Sequence, residues 1–107
     1  MPPDALQLPL TPAVFFILFA LADGEKHGYA IMQEVSKLSA GKFRMGPGTL
    51  YTTIQRLLDL KLIAETKDSI EEEGRRRYYK LTRAGKSLFA SELARMDAVL
   101  RLAHAMK

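Results

Sequence analysis

The apolar positions of this chain fall into four helical stretches and one short alternating stretch. From Ala13 to Leu21 every residue is apolar, a pattern that predicts a helix with no solvent face, buried all round. Thr11-Pro12 supplies a helix start, with Thr11 as N-cap and Pro12 at the first helical position, and Asp23-Gly24 supplies the stop. Tyr29, Met32, Val35 and Leu38 recur at spacings of three, with Ile31 on the same side, and predict a second helix from about His27 to Leu38, ended by Ser39-Ala40-Gly41. Gly46-Pro47-Gly48 marks a turn before a third helix, in which Leu50, Ile54, Leu57 and Leu58 form the apolar stripe. Thr49, Tyr51, Thr52, Thr53, Gln55 and Arg56 occupy its other sides. Leu62 to Thr66 and Arg75 to Leu81 read as the two strands of a hairpin around a charged loop. In the last helix Phe89, Leu93, Met96, Leu100 and Ala103 are spaced 4, 3, 4 and 3, a heptad seam widened by Val99, Leu102 and Met106.

This order predicts a mainly α fold with a small two-stranded hairpin: a winged helix-turn-helix plus a C-terminal dimerisation helix. Residues 1–10, with prolines at 2, 3 and 9, form an N-terminal arm that gains order by docking. Residues 11–82 make the winged domain, and residues 83–107 the dimerisation helix. A domain this small can hardly cover the all-apolar first helix alone, so a second subunit is expected on Phe15 and Phe19 together with the seam of Phe89, Leu93, Met96, Leu100 and Ala103.

Charge sharpens the picture by its distribution. The 107 residues carry a formal charge of +4, and 26% of them are charged. Between Arg75 and Lys86 six residues are basic and none is acidic; from Gly41 to Leu58 three are basic and none acidic. A solvated helix face would ordinarily mix signs, whereas a surface facing phosphate would not. An α-helix fits the major groove of double-stranded DNA, where Thr49, Tyr51 and Thr52 offer hydroxyls to phosphates and Gln55 and Arg56 reach base edges. Tyr29, Lys42 and Arg44 extend the surface, and Arg75 and Arg77, on one side of their strand by alternation, suit backbone or minor-groove contact. Glu71-Glu72-Glu73 is read as a solvated loop tip. It also leaves open an alternative, a winged-helix protein-interaction module that never meets DNA.

Other chemistries find little support. The chain has no cysteine, which removes disulfides, thiolate metal sites and thiol nucleophiles. His27 and His104 are its only histidines and lie far apart, so neither a metal set nor a catalytic base is arranged, and no enzyme activity and no cofactor are expected. The apolar run from Val14 to Ala22 lacks a basic start and falls short of the roughly twenty residues a bilayer requires. A cytoplasmic protein with no membrane contact is expected.

His27-Gly28-Tyr29, Gly48-Thr49-Leu50-Tyr51, and Gly74-Arg75-Arg76-Arg77-Tyr78-Tyr79-Lys80-Leu81-Thr82 followed by Gly85 occur in one order across residues 11–86. In them the chain resembles the PadR-type winged-helix transcriptional regulators, in the compact branch with a single short C-terminal helix. That resemblance implies a homodimer in which the final helix packs on the partner's N-terminal helix. It also implies a repressor that often controls its own promoter and neighbouring stress or efflux genes, with a small-molecule effector in some members, where flat aromatic drugs bind between subunits. This chain has no tryptophan to stack on such a drug; Phe15, Phe16 and Phe19 are the available aromatics, read mainly as core. Thr52 stands where the family commonly has proline and Lys61 where it often has glycine.

Overall fold

The computed structural model describes residues 6–66 and 77–106. Its elements are α1 (Pro12–Ala20), β1 (Lys26–His27), α2 (Gly28–Leu38), α3 (Pro47–Asp59), β2 (Ile63–Glu65), β3 (Tyr78–Leu81) and α4 (Arg83–Ala105). Three of the four helices begin on a side-chain cap. Thr11 Oγ1 accepts from the Val14 N–H, His27 Nδ1 from the Ala30 N–H, and Thr82 Oγ1 from the Gly85 N–H. The fourth, α3, starts on Gly46 with Pro47 in its first turn and no side-chain cap, leaving backbone donors at that end open to an outside acceptor.

Both α2 and α3 end in Schellman turns. After α2, Ala40 donates to Lys37 O and Gly41 to Ser36 O; after α3, Lys61 donates to Leu58 O and Leu62 to Leu57 O. The motif needs a left-handed residue at its pivot, and the pivots are Ala40 (φ 57°) and Lys61 (φ 62°) rather than glycine. Lys61→Gly is therefore expected to stabilise the chain by roughly 0.5–1 kcal/mol, the relief of the side-chain clash less the added freedom of the unfolded chain. Thermal melting should rise by about 2–8 °C; an unchanged or lower midpoint would show that the turn carries no strain.

The sheet has one strand more than the hairpin expected from sequence. β3 lies in the middle, with β2 on one side and β1 on the other, all antiparallel. Ile63 pairs with Leu81 and Glu65 with Tyr79, while Lys26 pairs with Tyr79 and His27 with Tyr78. β1 is only two residues of polar character, too short to show alternation, and forms because β3 has a second edge to satisfy.

Ile17, Leu18, Ile31, Val35, Leu50, Ile54, Leu57 and Ile63 are fully buried and join the three N-terminal helices to the sheet. The all-apolar α1 is not covered all round. Val14, Ile17, Leu18 and Ala20 are buried, but Phe15, Phe16 and Phe19 are half-buried. Phe89 of α4 lies 5.6 Å from the Phe15 ring and 5.5 Å from the Phe19 ring, and Phe43 stacks on Phe16 at 5.8 Å. Phe89, expected on the dimer seam, is thus only 8% exposed and belongs to the chain's own core. Beyond it the seam is bare: Leu93, Met96, Val99, Leu100, Leu102 and Ala103 along the rest of the 23-residue helix, and Met106 at its C-cap, are all exposed. Of the described arm residues, Leu6 and Leu10 are half-buried and pack against the core.

Candidate nucleic-acid interface

α3 is amphipathic in the way its stripe demands. Leu50, Ile54 and Leu57 face the core, and Thr49, Tyr51, Thr52, Gln55 and Arg56 are exposed. Tyr51, Thr52, Gln55, Arg56 and Asp59 line one open groove on that outer side. Gln55 Nε2 donates to Asp59 Oδ1 at 3.0 Å, and the Thr53 hydroxyl is turned back to the Thr49 carbonyl at 2.8 Å. Arg56, Lys42 and Arg44 form no ion pair among the described residues, so their charges are available to an anion.

The segment before α3 alternates. Phe43 and Met45 are half-buried, which turns Lys42 and Arg44 outward. Ser39 Oγ holds this segment, accepting from the Phe43 N–H at 3.0 Å. Tyr29, in the first turn of α2, is 60% exposed. Gly28 explains how that turn and α3 meet: a Cβ there would lie 2.3 Å from the Tyr51 hydroxyl. The absence of a side chain at Gly28 lets the Tyr51 ring lie across the start of α2 while remaining 49% exposed.

Of the strand arginines, Arg75 lies outside the described residues, as does the Glu71 to Glu73 triplet. Arg77 is exposed and sits 3.7 Å from Glu65 on the neighbouring strand. No described contact joins it to the α3 groove. Burial, with Glu65 adding to it, pushes the Tyr79 phenol above its ordinary value, so Tyr79 is a neutral core residue between the basic ones.

Two acids escaped sequence reasoning. Asp59 lies one residue beyond the acid-free stretch and joins the groove through its i, i+4 relation to Gln55, a spacing that could have revealed it. Glu92 is only 2% exposed. It takes a hydrogen bond from the Leu10 N–H at 2.9 Å and two from Arg95 at 2.6 and 3.2 Å, so it ties the arm to α4. The Arg95 hydrogen bonds hold its carboxyl below the usual range. Nothing in the local sequence marks it, because its first partner is 82 residues away.

Among the described residues no group of histidines and acids could hold a metal ion, and no helix is long and apolar enough to cross a membrane. Three N-terminal helices, a three-stranded antiparallel sheet and a third helix with a polar outer face define a winged helix-turn-helix protein. Residues 17–91 match the Transcriptional regulator PadR-like family. The chain belongs to that family, one of transcriptional regulators and not of enzymes.

Similarity to individual proteins agrees. The chain is 41% identical over 80 residues to an uncharacterized 37.1 kDa protein in transposon TN4556 of Streptomyces fradiae, covering 75% of this chain but only 21% of that longer protein. It is 34% identical over 86 residues to Transcriptional regulator Rv3488 of Mycobacterium tuberculosis, covering 79% of this chain and 76% of the relative. Bacillus subtilis PadR in complex with operator DNA shares the fold with a TM-score of 0.69 at 22% identity, over 79% of this chain and 47% of that one.

Proposed function

We propose that this chain is a sequence-specific, double-stranded-DNA-binding repressor that acts in the cytoplasm as a homodimer on an inverted-repeat operator. The observation that carries the reading is the outer face of α3. It gathers Tyr51, Thr52, Gln55 and Arg56 in one groove, with Lys42 and Arg44 exposed on the segment leading into the helix. The uncapped N-terminus of α3 adds backbone N–H donors and a partial positive charge for a phosphate. A relative of the same fold is solved on operator DNA. Tyr29, Thr49, Arg75 and Arg77 complete the proposed contact set, the last two as a wing gripping backbone or minor groove.

The homodimer rests on the bare apolar face of α4 and on the half-buried phenylalanines of α1. Response to a small-molecule effector would follow if a ligand seated between the subunits changed the spacing of the two α3 helices; two-fold symmetry sets that spacing near one helical turn, roughly 34 Å.

Arg56→Ala tests the groove directly. By fluorescence anisotropy on the DNA just upstream of the chain's own gene, affinity is expected to fall about 5- to 150-fold, with the melting temperature unchanged because Arg56 is exposed. Affinity of the parent chain should also fall steeply with salt as counterions are released. Undiminished binding by the variant would remove Arg56 from the site. Equal, salt-insensitive affinity of the parent for scrambled duplex would remove the function.

A further inference from the structure

Asp59 is out of place for a helix that only needs to grip DNA. It is a carboxylate in the last turn of α3, where the helix dipole disfavours negative charge, and it faces a groove proposed to receive phosphates and bases. It is exposed, so the fold does not depend on it. What it does make is one specific contact, its Oδ1 accepting a hydrogen bond from Gln55 Nε2–H at 3.0 Å. Resting on the DNA-binding reading, we infer that Asp59 is a positioning residue that fixes the Gln55 amide so that α3 selects adenine and rejects guanine.

A free glutamine amide turns readily about its last torsion and can offer an oxygen, a nitrogen, or both protons of its NH2 group. Adenine presents an acceptor (N7) beside a donor (N6–H) in the major groove, and guanine presents two acceptors, N7 and O6. An unpinned Gln55 can therefore satisfy adenine in one orientation, and can serve guanine by giving both N–H protons. With one proton given to Asp59, a single N–H and the Oε1 acceptor remain. That pair matches N7 and N6–H of adenine. Against guanine it leaves O6 facing Oε1, two acceptors without a proton between them. Arg56, in the same groove and without an ion pair among the described residues, is left to supply any guanine contact.

The test selects bound duplexes from a randomised pool with the full chain, Gln55→Ala, Asp59→Ala and Asp59→Asn, and then compares affinities for the selected duplex and its single-base variants. The parent is expected to select a motif containing an adenine whose replacement by guanine weakens binding about 5- to 150-fold. Gln55→Ala should lose that discrimination, and Asp59→Ala should lose most of it while melting with the parent. Asp59→Asn, which keeps an acceptor oxygen at the same reach without the charge, should restore it. Full discrimination in Asp59→Ala, no restoration in Asp59→Asn, or a parent motif with no Gln55-dependent adenine each overturns the inference and leaves the DNA-binding reading standing. A parent chain that selects no duplex overturns both.

Discussion

Gly85→Ala is expected to melt well below the parent chain, and Gly48→Ala at or above it, although both replace a helical glycine by the best helix former. Gly85 occupies the third position of α4, where a Cβ would lie 2.0 Å from the Leu62 carbonyl oxygen and 3.1 Å from its carbon. Backbone cannot step aside as a side-chain tip can. To admit the methyl group, α4 must lift from the Schellman turn that ends α3. Two hydrogen bonds span that junction: Thr82 N–H to Leu62 O at 3.1 Å, and Thr82 Oγ1 to Lys61 O at 2.7 Å. Overpacking costs about 1–3 kcal/mol and each strained hydrogen bond about 1 kcal/mol, against a propensity gain of about 1 kcal/mol. A net loss of about 2–4 kcal/mol is a large part of the stability of a domain this size. At Gly48 a Cβ meets nothing within 4 Å, so only the propensity gain remains. Equal melting of the two variants would mean that α4 does not rest on the Leu62 carbonyl.

That junction shows what kind of information the sequence carried. Caps and stops are local, and they were legible: Thr11-Pro12, the His27 start of α2, Gly46-Pro47 and the breaks at Ser39 to Gly41 lie where the elements begin and end. The apolar stripe of α3 was legible too, because Leu50, Ile54 and Leu57 are bound to one face by helix geometry alone. Lys61 was marked as a position that prefers glycine, and it is left-handed.

What failed to show was long-range. β1 is a strand because of what β3 offers it, and two residues cannot display a period. The role of Gly85 depends on a carbonyl 23 positions earlier, and the docking of Leu10 on a carboxylate 82 positions later. Phe89 has the correct heptad spacing for a seam and was assigned to it; spacing fixes the face of a helix but not which body covers that face. Here the first turn or two of the stripe meets α1 of the same chain, and only the remainder is bare.

That remainder gives the second large effect. For the homodimer proposed above, Leu100→Glu is expected to raise the dissociation constant at least about a thousandfold and to weaken binding to the proposed operator with it, while the isolated protomer keeps its fold. In the protomer Leu100 is 54% exposed and touches no core cluster, so a glutamate there removes nothing the single chain needs. In a two-fold dimer each substitution counts twice. Burying one leucine side chain contributes about 1.5–3 kcal/mol, and two of them about 3–6 kcal/mol, before adding the cost of taking two carboxylates out of water. A factor of a thousand is about 4 kcal/mol. The charge pair already on this helix, Arg101 Nε to Asp97 Oδ2 at 2.8 Å, is exposed and intrahelical, so it offers the new carboxylate little compensation. Operator affinity follows because a monomer meets one half-site and gives up the second. Sedimentation velocity at micromolar concentration separates the outcomes: parent chain as dimer and Leu100→Glu as a folded monomer is the expected result. A variant that sediments with the parent would move the interface off α4, and the apolar face from Leu93 to Met106 would then need another partner to cover it.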